Sequence, residues 1–573
     1  MFLIPKPFKI EQSDEIFIGK GVIISSQIRD ERLKKAVKKL PLSESGIPLY
    51  ITGEQGSEEG YRLSITNKSI KLDGDGAPGV FYGIQTLRQI LSNKEIYCAE
   101  IEDKPGNKYR GFYHDVTRGR VPTVETLKKL IDNMAYYKLN SLQLYVEHAF
   151  PFKEMYGTLN ESEYLSPGEI REIDEYCCEN FIDLIPSLAT CGHMYDILQL
   201  PENAHLREIE NYEPEYTFWY ERMLHHTLDP ENPESLELSK SRIDQYIPHF
   251  RSEYVNICGD EPTDLKIGKH KDADNDMIYF DFMVKIIEHI KSKGKKIMMW
   301  ADKVFLDNIE RLDKLADDIT LLCWGYAAEP PETRVSRLEN RKNPKLVCPS
   351  TSSYFRLVEN ARVSEANISK MAEYGDKYHA DGMLNTNWGD YGHPCSLELS
   401  MFGMLVGAEK SWNFKNEIGD NFKNAVDLLL YKNQSGTEYL FELNRLNEMA
   451  EFYKFVRLYS NLTCKGHIEF EKPTKEELET ASAGCKKIYD RLLNEVWEEE
   501  EFRREMMISA EGIAVTAELY AKNDGYPIKR WTNTESWLAK YRESWLKKNK
   551  ESELWRIEKI YRDMENLNRN EEK

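Results

Sequence analysis

Between residues 105 and 415 the chain repeats one pattern, and that pattern restricts the fold more than any other feature. Short apolar runs recur at Tyr109 to Tyr113, Ser141 to Val146, Ile182 to Leu188, Tyr254 to Ile257, Lys296 to Trp300, Ile319 to Trp324, Lys345 to Cys348 and Gly382 to Thr386. Each is the length of a buried strand, and helical segments lie between them. Strand and helix alternating eight times over about 300 residues predicts a closed parallel (β/α)8 TIM barrel, an α/β fold. The main alternative is an open, doubly wound sheet.

The flanks read differently. Residues 1–104 mix strand-like runs (Phe17 to Ile24, Ile47 to Thr52, Tyr61 to Thr66, Ser69 to Leu72) with a helical stretch, Val80 to Leu91, and predict a small N-terminal α+β domain. After about 416 the strands stop. Amphipathic segments at Glu438 to Leu458, Lys475 to Leu492 and Arg503 to Ala521, with a charged terminal run Lys547 to Lys573, predict an α-helical C-terminal domain over 416–573 with a frayed end. A helical stripe leaves three roles open for it: packing on the barrel, closing a pocket, or forming a homodimer face.

Charge narrows the partners. A formal net charge of −20 argues against nucleic acid or an anionic membrane surface, and favours a neutral ligand. No basic segment followed by a sustained apolar run opens the chain, so it reads as a protein without a classical export signal. Scattered cysteines, several of them inside apolar runs such as Cys258, Cys323 and Cys348, suit a reducing cytoplasm. Cys177-Cys178 has no second pair at zinc-ligand spacing, and no metal or cofactor is expected.

In a barrel of this kind the chemistry collects where strands end. The first run ends in His114-Asp115-Val116-Thr117-Arg118, the second in Glu147-His148, the third in Cys191-Gly192-His193 and the fourth in Gly259-Asp260-Glu261-Pro262. Trp300-Ala301-Asp302, Trp324-Gly325-Tyr326, a Ser/Thr cluster with Tyr354, and Trp388-Gly389-Asp390-Tyr391 close the other four. Three tryptophans among carboxylates, an arginine and histidines suit a sugar pocket: aromatic faces stack on the ring while charged groups bind its hydroxyls. Neighbouring residues on a regular strand face opposite ways, so Asp260 and Glu261 share a pocket only if the chain turns between them.

These residues resemble glycoside hydrolase family 20, the β-N-acetylhexosaminidases. The likeness lies in Tyr61-Arg62-Leu63-Ser64-Ile65 and Gly79 to Gln89, which are similar to the family's small first domain, then in Tyr109-Arg110-Gly111 with Asp115 and Arg118, Lys138-Leu139-Asn140, and Gly259-Asp260-Glu261. It covers about residues 1–415. Tyr145-Val146-Glu147-His148 and Asn256-Ile257-Cys258 depart from the commoner pattern, the former toward the hexosaminidase D-like branch.

The resemblance implies an exo-acting, retaining hydrolase that removes terminal β-linked N-acetylglucosamine or N-acetylgalactosamine from an oligosaccharide or glycoconjugate, with the substrate's own acetamido group as nucleophile. Glu261 would be the acid and then the base, and Asp260 would hold the acetamido N–H. Arg118 with Asp390 would bind ring hydroxyls, and Trp300, Trp324 and Trp388 would wall the sugar. Tyr354 or Tyr326 would meet the acetamido carbonyl. His193 would stand behind the carboxylates, with Glu147 or His148 completing its network. Competing readings are a hexosaminidase of another acetamido-assisted family (84- or 123-like), a non-catalytic carbohydrate-binding protein on the same scaffold, and a metal hydrolase using His114, His193 and Asp260.

Overall fold

The computed structural model describes residues 1–19, 21–155, 157–302 and 315–567. Its first six strands are β1 (Lys9–Ile16), β2 (Val22–Ile24), β3 (Ile47–Thr52), β4 (Ser57–Ile65), β5 (Ile70–Gly76) and β6 (Tyr97–Asp103). They form one sheet in the order β1-β6-β4-β5-β3-β2. The helix Ala77–Leu91 packs on it through a nearly continuous buried face.

The expected strand Phe17 to Ile24 forms only over its last three residues. Strand structure stops at Ile16 and resumes only at Val22, with residue 20 outside the described set. β1 is an edge strand with almost every side chain exposed, so it carries no alternating apolar signal. β6 was not expected either.

The barrel strands are β7 (Tyr109–Asp115), β8 (Ser141–Val146), β9 (Asp183–Leu188), β10 (Tyr254–Asn256), β11 (Lys296–Trp300), β12 (Thr320–Trp324), β13 (Lys345–Cys348) and β14 (Gly382–Asn387). All neighbours pair in parallel, and β14 returns to β7 to close the ring. Their side chains are buried on both faces, which is why the runs are continuously apolar rather than alternating. The connections carry helices such as Val124–Tyr136, Pro167–Glu179 and Asn275–Ser292, while 303–314 in the β11–β12 connection lie outside the described residues.

The N-terminal domain docks on the barrel beside the start of β7. Arg110, fully buried, donates to Glu59 Oε1 and Oε2 at 2.7 and 2.9 Å and to the Tyr82 hydroxyl at 2.8 Å. Lys138 Nζ donates to Asp103 Oδ2 at 3.0 Å and to the Tyr61 hydroxyl at 2.9 Å, and Trp412 Nε1 reaches Asp103 Oδ1 at 3.0 Å. Several of the residues that carry the family resemblance therefore join sheet to barrel and never approach the strand ends where chemistry collects.

Beyond Asp420 the described residues contain helices and no strand. The run Glu438 to Leu458, expected as one helix, is two: Gly436–Met449 and Phe452–Thr463, broken at Ala450 and Glu451. Likewise the run from Lys547 is not one helix. A helix ends at Lys548, another spans Leu554–Asn566, and 568–573 lie outside the described residues, so the expected fraying falls there. This helical region packs against the barrel: Arg120 donates to the Tyr541 hydroxyl at 3.1 Å, and Lys550 Nζ reaches Glu169 at 2.9 Å. No described helix is long and apolar enough to cross a membrane.

Candidate active site

The turn after β10 is built by local hydrogen bonds. Asn256 Oδ1 accepts the Cys258 amide at 2.9 Å and so bends the chain as the strand ends. Cys258, Gly259 and Glu261 then take φ of 54°, 72° and 46°, the left-handed region that L side chains enter at a cost of about 1–3 kcal/mol each. The Glu261 amide is caught by Asp302 Oδ2 at 2.8 Å, from the end of β11. Space beside the turn comes from Gly192, where a Cβ would lie 2.5 Å from the Asp260 carbonyl.

Strain has a chemical result. Asp260 Oδ2 lies 3.3 Å and Glu261 Oε2 3.6 Å from the same atom, Nε2 of His193. Two adjacent carboxylates thus face one cavity. His193, itself at φ 58°, stacks on His226 at 4.7 Å and donates its amide to His226 Nδ1 at 2.7 Å. Arg118 Nη2 lies 3.1 Å from His193 Nδ1, and against burial the Asp260 carboxylate raises the His193 pKa to about 9, so that a proton on Nε2 faces Asp260.

Arg118 is the hub of the opposite wall. Its Nε donates to Glu147 Oε1 at 2.8 Å and its Nη1 to Asp390 Oδ1 at 3.1 Å, and the guanidinium lies 5.1 and 5.2 Å from the ring centres of Tyr145 and Trp388. Asp115 frames it by accepting the amides of Thr117, Arg118 and Gly389 at 3.0, 3.1 and 3.0 Å, tying the end of β7 to that of β14. Burial lifts the Asp115 pKa to about 6, and the nearby Arg118 opposes the rise. Burial also raises Glu261, with the Asp260 and Asp302 carboxylates adding to it and His193 opposing.

The cavity between these walls measures about 210 Å³. Every residue named from the sequence as catalytic or sugar-binding lines it except Glu147, which stands behind Arg118 and does not touch the space. Trp300 and Trp388 pack 5.8 Å apart on its floor, and Trp324, Tyr326 and Tyr354 continue an aromatic wall with ring separations of 5.2 and 6.3 Å. Met223 and Phe355 also line it, and sequence reading missed both. Met223 sits in the long β9–β10 connection with no local signal, whereas Phe355 follows Tyr354 directly and was within reach. Asp302 and Asp115 were visible as strand-end carboxylates, but their service is to backbone amides, which no spacing announces.

Other arrangements do not converge in this way. A larger cavity of about 1010 Å³ opens between Met1, Asn93, Tyr136, Asp427, Lys432 and Glu498, away from the strand ends, and none of the strand-end residues named from the sequence lines it. His114 points away from the cavity, 5.5 Å from His393, and burial lowers its pKa to about 3. Among the described residues the side-chain groups with metal-ligand spacing are Glu147-His148-Asp196 and Glu208-Asp229-His270, neither of which contains His114, His193 or Asp260.

Comparison with known proteins agrees with this arrangement. The profile "Glycosyl hydrolase family 20, catalytic domain" matches residues 107–404, more than half of the chain, and "Glycosyl hydrolase family 20, domain 2" matches 1–104. A beta-hexosaminidase of Porphyromonas gingivalis is 26% identical over 381 residues, covering 56% of this chain and 47% of the relative. One from Akkermansia muciniphila is 30% identical over 195 residues, covering 30% and 38%. The chain thus spans half or less of the length of these relatives. The solved chitobiase of Flavobacterium johnsoniae shares the fold at a TM-score of 0.60 and 17% identity, covering 98% of this chain and 99% of its own. With both profiles in sequence order and the Asp260-Glu261 pair on the barrel's strand ends, the chain belongs to glycosyl hydrolase family 20.

Proposed function

We propose that this protein is an exo-acting, retaining β-N-acetylhexosaminidase that releases terminal β-linked N-acetylglucosamine or N-acetylgalactosamine by substrate assistance. The observation that carries this reading is the meeting of Asp260 and Glu261 at His193 Nε2, 3.3 and 3.6 Å away, inside an aromatic cavity. At about 210 Å³ the cavity is smaller than the roughly 300–1,000 Å³ of drug-sized ligand sites, which suits one sugar ring and end-on attack.

In the first step the Glu261 carboxyl gives its proton to the glycosidic oxygen as the bond from that oxygen to the anomeric carbon breaks. The acetamido carbonyl oxygen bonds to the anomeric carbon from the other face, forming an oxazolinium ring. Asp260 accepts the acetamido N–H and, as a carboxylate, balances the positive charge that develops. His193 Nε2 lies 3.3 Å from Asp260 Oδ2. In the second step the Glu261 carboxylate takes a proton from water, the water oxygen attacks the anomeric carbon, and the ring opens to product with retained configuration. Two inversions at one carbon give retention with no protein nucleophile.

Arg118 and Asp390 bind ring hydroxyls at the closed end, Trp300, Trp324 and Trp388 pack on the sugar and its methyl group, and Tyr354, with Tyr326 beside it, meets the acetamido carbonyl. The three-domain division near 104 and 415, and placement on the hexosaminidase D-like branch, belong to the same proposal. A reducing cytoplasm is proposed as well, supported by ten free cysteines of which most are buried; fractionation of the source cells tests it.

The test of function is hydrolysis of four chromogenic substrates: β-N-acetylglucosaminide, β-N-acetylgalactosaminide, β-glucoside and β-galactoside. Cleavage confined to the two acetamido sugars is expected, and the ratio of their kcat/KM values names the preferred epimer. Comparable cleavage of the plain glycosides would demand a protein nucleophile and defeat the proposal.

A further inference from the structure

The helical C-terminal region touches the barrel next to the sugar-binding wall, and its contacts there are charged and buried. Between the helices Thr534–Lys548 and Leu554–Asn566 the chain is pinned to the barrel: Lys548 O accepts from the Thr123 amide at 2.9 Å and the Thr126 hydroxyl at 2.6 Å, and Val121 O accepts the Lys550 amide at 2.8 Å. Glu553, 5% exposed, is thereby brought to Arg222 in the β9–β10 connection, with Oε1 2.7 Å from Nη2. The same Nη2 lies 2.9 Å from Asp196 Oδ2, and that oxygen is 3.3 Å from Nδ1 of His148. His148 follows Glu147, the carboxylate that grips Arg118 Nε.

Glu553 and Arg222, 331 positions apart in sequence, and Asp196 form a carboxylate–guanidinium–carboxylate line, and the His148 ring beside Asp196 leads on to its chain neighbour Glu147 and so to the arginine in the cavity wall. Charges buried this deeply interact strongly, because little water screens them. Arg222 is divided between Glu553 and Asp196, while its Nε and Nη1 and the Glu147 Oε2 are buried without a hydrogen-bond partner among the described residues. Glu147 also feels Arg222 directly, its pKa being lowered, against burial, first by Arg118 and next by Arg222. With Glu553 neutralised, Arg222 is held by Asp196 alone, and Glu147, whose Oε2 has no partner among the described residues and whose carboxylate already feels Arg222, competes for it; Glu147 is the residue that orients Arg118.

We infer that Glu553 is a positioning residue for the active site: by holding Arg222 away from Glu147 it keeps Glu147 committed to Arg118, and so fixes the arginine that grips the terminal sugar. This inference rests on the hexosaminidase reading, in which Arg118 binds ring hydroxyls at the closed end of the cavity; with the anomeric carbon at the mouth, the 4-hydroxyl, across the ring from it, is the one carried to that end. It gives the C-terminal region a part in substrate binding.

The experiment is Glu553→Gln, which keeps shape and removes charge, assayed on 4-nitrophenyl β-N-acetylhexosaminide of the preferred epimer and on its 4-deoxy counterpart. Binding of the free N-acetylhexosamine is followed in parallel by tryptophan fluorescence, since three tryptophans line the cavity. A network of this kind transmits effects of about 3- to 10-fold. KM and Kd for the full sugar are expected to rise by that factor with kcat within about twofold, the 4-deoxy sugar to be unaffected, and Glu553→Asp to recover most of the loss.

Unchanged KM and Kd, an equal rise for the 4-deoxy sugar, or a loss of kcat alone would overturn the inference and leave Glu553 a merely structural contact. Should Glu553→Gln not fold, Glu553→Asp carries the same comparison, with a rise of about twofold expected from its shorter reach. Wild-type protein that neither binds nor cleaves the acetamido sugars would defeat the hexosaminidase reading itself, whereas binding without turnover leaves Glu553 to be judged on Kd.

Discussion

Glu261→Gln is expected to lower kcat on substrates with poor leaving groups by about 10²- to 10⁴-fold, the usual contribution of a positioned general acid, while Kd for the product sugar changes little. The substitution keeps the side chain's size and its place beside His193 but removes the proton that the glycosidic oxygen must receive. A 2,4-dinitrophenolate leaves without that proton, so the loss in the glycosylation step should shrink on such a substrate. Comparing leaving groups of graded pKa in wild type and variant measures this.

A pH profile adds an independent check. Burial, with Asp260 and Asp302 adding to it, raises the pKa of Glu261, and its protonated form is the active one in the first step. Activity therefore holds below that raised pKa and falls as pH climbs through it, giving kcat/KM an alkaline limb. The limb should be absent in Glu261→Gln. Full activity in the variant, with the limb intact, would remove Glu261 from the mechanism.

Asp260→Asn is expected to cost about 10²- to 10³-fold in kcat, the scale of losing one preorganised electrostatic partner at a site of developing charge. Here the sensitivity to leaving group separates the two carboxylates. Asp260 acts on the acetamido group and the cationic ring, not on the departing oxygen, so a 2,4-dinitrophenyl substrate should not rescue this variant as it rescues Glu261→Gln. A common response of both variants across the leaving-group series would contradict the division of labour.

Much of this site is legible in the sequence because a parallel barrel writes its strands as unbroken apolar runs and places its polar residues at their ends. Arg118, His193, Asp260, Glu261, Trp300, Trp324, Trp388 and Asp390 all end or follow such runs, and the structure gathers them on one cavity. What the runs cannot convey is direction. Whether Asp260 and Glu261 face together depended on three left-handed residues, and only Gly259 among them advertises that conformation. Glu147 reads like its neighbours on the list of strand ends, yet it lies one layer back, against Arg118.

The rest was hidden for physical reasons that differ by place. β1 is exposed along nearly its whole length, so burial imposes no period on its sequence. The apolar stripe of the C-terminal helices runs on through Phe452 and Phe455 past the break at Ala450, because both helices bury their stripes in the same core. Glu553 sits on a short link between helices, and nothing local distinguishes it from the acidic residues around it. Its partner is chosen by tertiary packing alone.

The central claim is that the substrate's own acetamido oxygen, held by Asp260, is the nucleophile. It is tested most directly by kcat/KM for a series of 4-nitrophenyl β-glycosides of the preferred epimer whose N-acyl group is acetyl, fluoroacetyl, difluoroacetyl or trifluoroacetyl. Each fluorine withdraws electrons from the carbonyl oxygen, so a steep, monotonic fall along the series is predicted. A flat series would mean that the acyl oxygen does not attack, and that a protein group or water must.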